Sequence, residues 1–153
     1  MSPNVYYLPF FNIDDFIRYM VVQNYFGVED TSSHNYYIYN YDKLVFLPWD
    51  QELGMRLDYD SFMGNNKLVA RILAAPCVHG AYVQAMKDFV ADTVFLEKLK
   101  SKVAEWYDQS YKAIASDPVF YFSADDAKRS RDHIIDFISR RGTGEAYLRH
   151  FSE

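Results

Sequence analysis

The chain has 153 residues, of which 50% are hydrophobic and 18% aromatic, and its formal net charge is −5. This length and composition predict one folded domain with a hydrophobic core and exclude an intrinsically disordered chain. The acidic balance argues against a nucleic-acid-binding protein, which normally carries a basic stripe, and the single cysteine excludes an internal disulfide and a multi-cysteine zinc site.

The first predicted element is a helix that begins after Asn12 and stops at Gly27. Asn12 is a favourable N-cap, Asp14 and Asp15 favour the positive end of a helix, and glycine is a common residue just past a helix end. Apolar residues recur between them at helical spacing, namely Ile13, Phe16, Ile17, Met20, Val21 and Tyr25. This helix leads the chain directly to Asp30.

A β-hairpin is predicted next, with Tyr36–Tyr39 paired against Leu44–Leu47. Because antiparallel strands begin and end side by side, the hairpin is expected to bring Asp30, Asn35 and Asp50 together at one of its ends. Two carboxylates and an amide oxygen form a set of hard oxygen ligands, which suits magnesium or manganese carrying a phosphate.

The remainder of the chain predicts helices. An irregular loop over residues 54–66 comes first, followed by helices over about 67–75, 78–89 and 94–115 and a further helix between Ser123 and Gly142. A last helix is expected to carry Tyr147, Leu148 and Phe151. The sequence has no internal repeat and no second domain, so residues 1–153 are interpreted as one mainly α (α+β) domain with a hairpin embedded early.

One stretch of this sequence is specific enough to suggest a family. It consists of the run His34-Asn35-Tyr36-Tyr37-Ile38-Tyr39, followed by Pro48-Trp49-Asp50, with Asp30 ahead of both. This stretch resembles the spore-coat protein H (CotH) kinase family, and the likeness extends back into the helix Phe16–Gly27 and loosely to the end of the chain. The spacing between Asp30 and Asn35 also resembles the catalytic loop of ordinary protein kinases.

The resemblance implies the helical carboxy-terminal lobe of an atypical kinase, in which the hairpin carries the site residues. The implied reaction is transfer of phosphate from ATP to a serine or threonine of a protein substrate. Asp30 would be the catalytic aspartate, while Asn35 and Asp50 would hold Mg or Mn together with ATP. Glu52 stands where the family often has another aspartate, and it is the third candidate metal ligand.

The parts of a kinase that grip the nucleotide are not apparent in this sequence. A kinase places a phosphate-covering loop and a lysine–glutamate pair ahead of the catalytic loop, but Lys43 is the first lysine here. We therefore expect that the amino-terminal lobe is absent from residues 1–153 and that this fragment is inactive by itself. The alternative is a non-catalytic, pseudokinase-like interaction module or surface-protein module.

The expected partners follow from the same interpretation. They are a protein substrate, the missing amino-terminal lobe and a second copy of the chain, because an unpaired lobe would expose the tyrosine-rich hairpin. Nucleic acid and a membrane span are not expected, since no apolar run approaches roughly 18 residues. No signal peptide is apparent either. The compartment stays open, and the resemblance is compatible with a spore-coat or secreted protein.

Four other features carry weaker signals. His34 invites a general-base role because imidazoles titrate near neutrality, but its place in the motif favours a structural hydrogen bond. The other histidines, His133 included, have no metal-ligand spacing and are interpreted as surface or helix-end residues. Arg140 and Arg141 close a helix whose negative end favours cations, with phosphate binding as the alternative. Cys77 is expected to be a buried structural thiol.

Overall fold

A computed structural model describes residues 6–28, 34–52, 54–57, 62, 66–119 and 123–143. Within these residues a short 3-10 turn, Leu8–Phe10, precedes five α-helices and one two-stranded antiparallel sheet. Most of the described residues are helical, which confirms the mainly α prediction. The elements, in chain order, are α1 (Ile13–Tyr25), β1 (Tyr36–Asn40), β2 (Leu44–Pro48), α2 (Lys67–Leu73), α3 (Pro76–Ala91), α4 (Thr93–Ser116) and α5 (Ala124–Arg141).

Helix α1 is the centre of the core. The Asn12 side chain accepts a hydrogen bond from the Asp15 N–H and caps the helix, as its sequence predicts. Eight of its thirteen residues are buried, so it faces neighbours on most sides rather than along one stripe. It packs against α3 and β2, and its last residue, Tyr25, contacts the ring of Phe89 in α3 with centroids 4.8 Å apart.

Helices α2 and α3 form a bent pair. The Asn66 side chain caps α2 by accepting hydrogen bonds from the N–H groups of Leu68 and Val69. Pro76 occupies the first turn of α3, where its missing N–H removes no helical hydrogen bond. In the described part of the chain no single helix is long and apolar enough to cross a membrane, and this pair reaches such a length only across an 88° bend.

Helices α4 and α5 pack against each other. A capping box starts α5, in which Ser123 and Asp126 exchange hydrogen bonds with each other's backbone N–H. Helix α4 has no fully buried residue, whereas α5 places Phe137, Ile138 and Arg141 in the interior. A groove of about 580 Å³ is lined by apolar residues of both helices and by Phe26 and Met55, which lie on the segments that flank the hairpin.

The hairpin is fastened to the amino end of α1 through one face. Leu44 forms a parallel bridge with Phe11, and its carbonyl accepts a hydrogen bond from the Asn12 N–H at 3.0 Å. Phe46 is buried against the rings of Phe11, Phe16, Tyr19 and Tyr36, with centroid distances of 5.1–5.9 Å. This aromatic cluster fixes the position of the hairpin relative to the core.

Cys77 is exposed in the first turn of α3, so the prediction of a buried thiol was wrong; the buried positions of that helix are Val78, Tyr82 and Met86. The helix predicted around Tyr147–Phe151 lies outside the described residues.

Candidate functional site

The open end of the hairpin brings two of the candidate residues together. Strand pairing has the register Tyr36↔Pro48, and one further backbone hydrogen bond extends it, from the Trp49 N–H to the Asn35 carbonyl at 3.1 Å. The Asn35 side-chain Nδ2 then donates to the Asp50 carbonyl at 3.4 Å. The strand pairing therefore brings together Asn35 and Asp50, which are fifteen positions apart in the sequence.

Asp50 has an unusual backbone conformation. Its φ is +57°, in the left-handed region, which non-glycine residues seldom occupy although aspartate tolerates it better than most. This conformation turns the chain sharply at the end of β2, where the carboxylate is exposed to solvent. Residues held in sparsely populated backbone regions are concentrated at functional sites. The backbone conformation of Asp50 therefore indicates a candidate site independently of the sequence motif.

The donor set at this end of the hairpin is compatible with a hard cation. The Asn35 amide, whose Nδ2 bonds the Asp50 backbone, also carries the acceptor oxygen Oδ1, and Asp50 carries a carboxylate; both are oxygen groups of the kind that hard cations bind. Glu52 is exposed in the turn that follows. Among the described residues no group of three or more His, Cys, Asp or Glu side chains could hold a metal, so this pair needs a further oxygen ligand from elsewhere.

The other candidate residues have different outcomes. Asp30, the proposed catalytic aspartate, belongs to 29–33 and lies outside the described residues. His34 is exposed, directly before Asn35. In the loop predicted over 54–66, Phe62 is buried, and Met55 and Leu57 pack partly buried against the core.

The segment that precedes Asp30 in sequence is tied to the segment that follows Asp50. The Met55 N–H donates to the Phe26 carbonyl at 2.6 Å. Gly27 has φ +56°, and a Cβ placed on it would lie 2.5 Å from the Arg56 carbonyl oxygen. Glycine is required here both by its conformation and by the close backbone approach. The sequence predicts Gly27 as a helix stop, but it does not predict the close approach of the Arg56 backbone.

Two side chains of α5 contact these segments: Arg141 bonds both of them, and His133 lies against the second. Arg141 is only 5% exposed and donates three hydrogen bonds to backbone carbonyls: to Tyr25 at 3.1 Å, to Asn24 at 3.0 Å and to Leu57 at 2.9 Å. His133 Nε2 lies 3.2 Å from the Met55 carbonyl. The guanidinium therefore binds protein carbonyls, which rules against the phosphate-binding alternative for Arg141.

Sequence reasoning missed Arg141 as a buried residue, although a signal was present. Ile134, Ile138 and Arg141 are spaced i, i+4 and i+7, so the arginine continues the apolar face of α5. Its neighbour Arg140 points to solvent and pairs with Asp136 at 3.0 Å. The two adjacent arginines are thus distinguished by helical phase alone.

The solvent face of the hairpin is apolar and adjoins Asp50. Tyr37, Tyr39, Leu47 and Trp49 are 44–59% exposed, and the rings of Tyr37 and Trp49 pack edge to face with centroids 5.6 Å apart. Tyr19 of α1 lies beneath the opposite, core-facing side of the hairpin. Burial raises the pKa of Tyr19, and the nearby Tyr36 adds to the effect. The tyrosine under the hairpin therefore stays neutral at physiological pH.

The comparison with known families decides the relationship. A family model described as "CotH kinase protein" matches residues 2–143. The chain belongs to the CotH kinase family. The match covers α1, the hairpin and all four later helices, so the CotH resemblance of the motif run extends to the whole described fold. A comparison with curated proteins finds no match to this sequence.

Proposed function

We propose that this CotH domain supplies the catalytic aspartate and the metal-binding residues for transfer of the γ-phosphoryl group of ATP to a serine or threonine of a protein substrate. The observation that carries the proposal is the junction of Asn35 and Asp50 at the open end of the hairpin, 3.4 Å from amide nitrogen to backbone carbonyl. Its support is the family match over residues 2–143, which implies a kinase-like domain.

The proposed roles follow the chemistry of phosphoryl transfer, in which positioning and charge stabilisation supply most of the catalysis. Asn35 and Asp50 would hold the divalent cation, Mg²⁺ or Mn²⁺, with Glu52 as a further candidate ligand. That cation would neutralise charge on the phosphates of ATP. Asp30 would orient the acceptor hydroxyl and take its proton, as the aspartate of an ordinary kinase catalytic loop does.

The hairpin provides the rigidity that such a site requires. Asn35 directly precedes β1 and Asp50 lies two residues after the end of β2, and the strands are fixed to the core by the aromatic cluster around Phe46. Elements of this kind hold functional groups more accurately than free loops do. The left-handed conformation of Asp50 would be retained because it turns the chain where the Asp50 carbonyl accepts a hydrogen bond from the Asn35 amide.

We also propose that residues 1–153 transfer phosphate slowly when assayed alone. The first lysine of residues 1–153, Lys43, lies in the far turn of the hairpin, whereas kinases place the lysine that holds the phosphates ahead of the catalytic loop. The lysine and glutamate that grip the nucleotide would have to come from another polypeptide segment, which would also cover the apolar face of the hairpin.

The experiment is a transfer assay with γ-labelled ATP, Mg²⁺ or Mn²⁺ and casein as acceptor, run on the full-length natural protein and on the 153-residue chain. We expect metal-dependent labelling of serine or threonine in the natural protein, loss of labelling in Asp30→Asn, and no change in Asp42→Asn, which alters an exposed aspartate in the far turn of the hairpin. Labelling that survives Asp30→Asn would refute the assignment.

A second candidate function is favoured by the exposed aromatic face. A binding module without transferase activity would also present Tyr37, Tyr39 and Trp49 to a partner, since apolar patches of this kind mark interaction surfaces. Under this alternative the natural protein binds its partner through the hairpin and shows no metal-dependent labelling in the same assay.

A further inference from the structure

We propose that Arg141 is a positioning residue that sets the distance between the two backbone segments flanking the candidate site. The first is segment N, residues 24–28, which leads to Asp30. The second is segment C, residues 54–57, which leads away from Asp50. The link to catalysis rests on the function proposed above, whereas the mechanical claim stands on the contacts of the described residues.

The geometry of the guanidinium is the first argument. Its Nε and Nη2 atoms bond the carbonyls of Tyr25 and Asn24, which belong to segment N and also form the end of α1. Its Nη1 bonds the carbonyl of Leu57 in segment C. A planar group with donors in a fixed fork prescribes the separation of the carbonyls that it bonds. A lysine ammonium at this position has no such fork.

The location of the accepting carbonyls is the second argument. Asn24 and Tyr25 belong to the last turn of α1, where the final carbonyls have no helical donor and carry the negative end of the helix dipole. The negative end of the helix dipole stabilises the buried guanidinium there. The same Asn24 carbonyl also accepts the Gly27 N–H at 3.1 Å, so Arg141 is coupled to the turn that starts segment N.

The close packing of the two segments is the third argument. The Met55 N–H reaches the Phe26 carbonyl, Gly27 faces the Arg56 carbonyl with no room for a Cβ, and a Cβ on Gly54 would lie 3.3 Å from the Val28 side chain. These contacts allow little independent movement. A change in the separation of the segments at Arg141 is therefore transmitted to Val28, two residues before Asp30 in sequence.

This arrangement separates two properties of the site. Asn35 and Asp50 are held to each other by the hairpin, whereas segment N, which precedes Asp30 in sequence, is held by Arg141. Loss of the Arg141 fork is expected to misplace Asp30 while leaving cation and nucleotide binding intact. Misplacement of a catalytic group by about 1 Å can lower turnover on the order of a hundredfold.

The first test is amide hydrogen exchange on the 153-residue chain. In Arg141→Gln we expect the amides of Gly27, Val28 and Met55 to exchange at least about tenfold faster, with partial recovery in Arg141→Lys. The matched control is Arg140→Gln, which removes the neighbouring exposed arginine. Unchanged exchange at these amides in Arg141→Gln would overturn the proposal.

A measurement on the unmodified chain covers the case in which an Arg141 variant does not fold. Native-state exchange over a series of low urea concentrations reports the opening of each segment. We expect the amides of segments N and C to open in one step, together with the last turn of α5. Segments that open independently of each other would overturn the proposal.

The catalytic consequence is tested in the full-length natural protein. Arg141→Lys is expected to lower kcat about ten- to a hundredfold, with KM for ATP within about twofold of the unmodified value, and Arg140→Lys is expected to change neither. A rise in KM at constant kcat would contradict the positioning role. If the unmodified protein transfers no phosphate, the proposed function fails, and the exchange measurements alone decide the mechanical claim.

Discussion

Gly27→Ala tests the close contact between the two segments that flank the site. The new Cβ would lie 2.5 Å from the Arg56 carbonyl oxygen, so the backbone has to retreat by about half an ångström before the contact reaches even the shortest separation that real structures show. The left-handed conformation costs an alanine about 1–2 kcal/mol, and overpacking of this kind costs about 1–3 kcal/mol.

Part of this cost is offset, because alanine reduces the conformational entropy of the unfolded chain and so stabilises the folded state by about 0.4–1 kcal/mol. The free energy of unfolding is therefore expected to fall by about 2–4 kcal/mol, which corresponds to a fall in Tm of roughly 4–16 °C for a chain of this size. Gly80→Ala is the matched control, because a Cβ there meets nothing within 4 Å and alanine is favoured inside a helix by about 0.5–1 kcal/mol. Urea and thermal unfolding followed by circular dichroism measure both. Equal stability of Gly27→Ala and the unmodified chain would refute the close approach.

Three further predictions concern the hairpin and the core. Phe46→Ala is expected to lower the free energy of unfolding by about 3–5 kcal/mol because four rings pack against Phe46. Leu47→Ala, on the solvent face, is expected to change this free energy by about 0.5 kcal/mol or less. Equal losses of stability in urea unfolding would contradict the assignment of the two faces. Burial raises the pKa of Tyr25 to about 12, so the unfolded chain releases this proton first, near pH 10, and stability is expected to fall as pH rises from about 10 to 12; a Tyr25→Phe variant with the same decline would contradict this. The exposed hairpin face is expected to support self-association that Trp49→Ser weakens. Light scattering that finds a strict monomer at increasing concentration would show that the chain covers this face itself.

The helices and the hairpin were predictable because their signals are local. The capping side chains of Asn12 and Ser123 mark the starts of α1 and α5. In the hairpin, the alternation of side chains fixes the strand register that places Asn35 beside Asp50. A motif and a strand pairing were sufficient to find this end of the hairpin, because both depend on residues close in sequence.

The support behind the site was not predictable in the same way. Arg141 bonds carbonyls of residues more than eighty positions away, and no local pattern states which backbone a buried arginine will meet. Gly27 was found as a helix end, but its contact with Arg56 depends on how the chain returns after the hairpin. The structure therefore adds the contacts that depend on tertiary packing. These contacts show which residues hold the flanking segments in place.

The central claim is that Asn35 and Asp50 hold the cation that accompanies ATP, and electron paramagnetic resonance of Mn²⁺ tests it most directly. Titration of the 153-residue chain with Mn²⁺ in the presence of ATP is expected to show binding that Asp50→Asn weakens at least about tenfold and that Asn35→Ala weakens in the same direction. Asp42→Asn, at the far turn of the same hairpin, is expected to bind as the unmodified chain does. Equal Mn²⁺ affinity in Asp50→Asn and Asp42→Asn would contradict the claim.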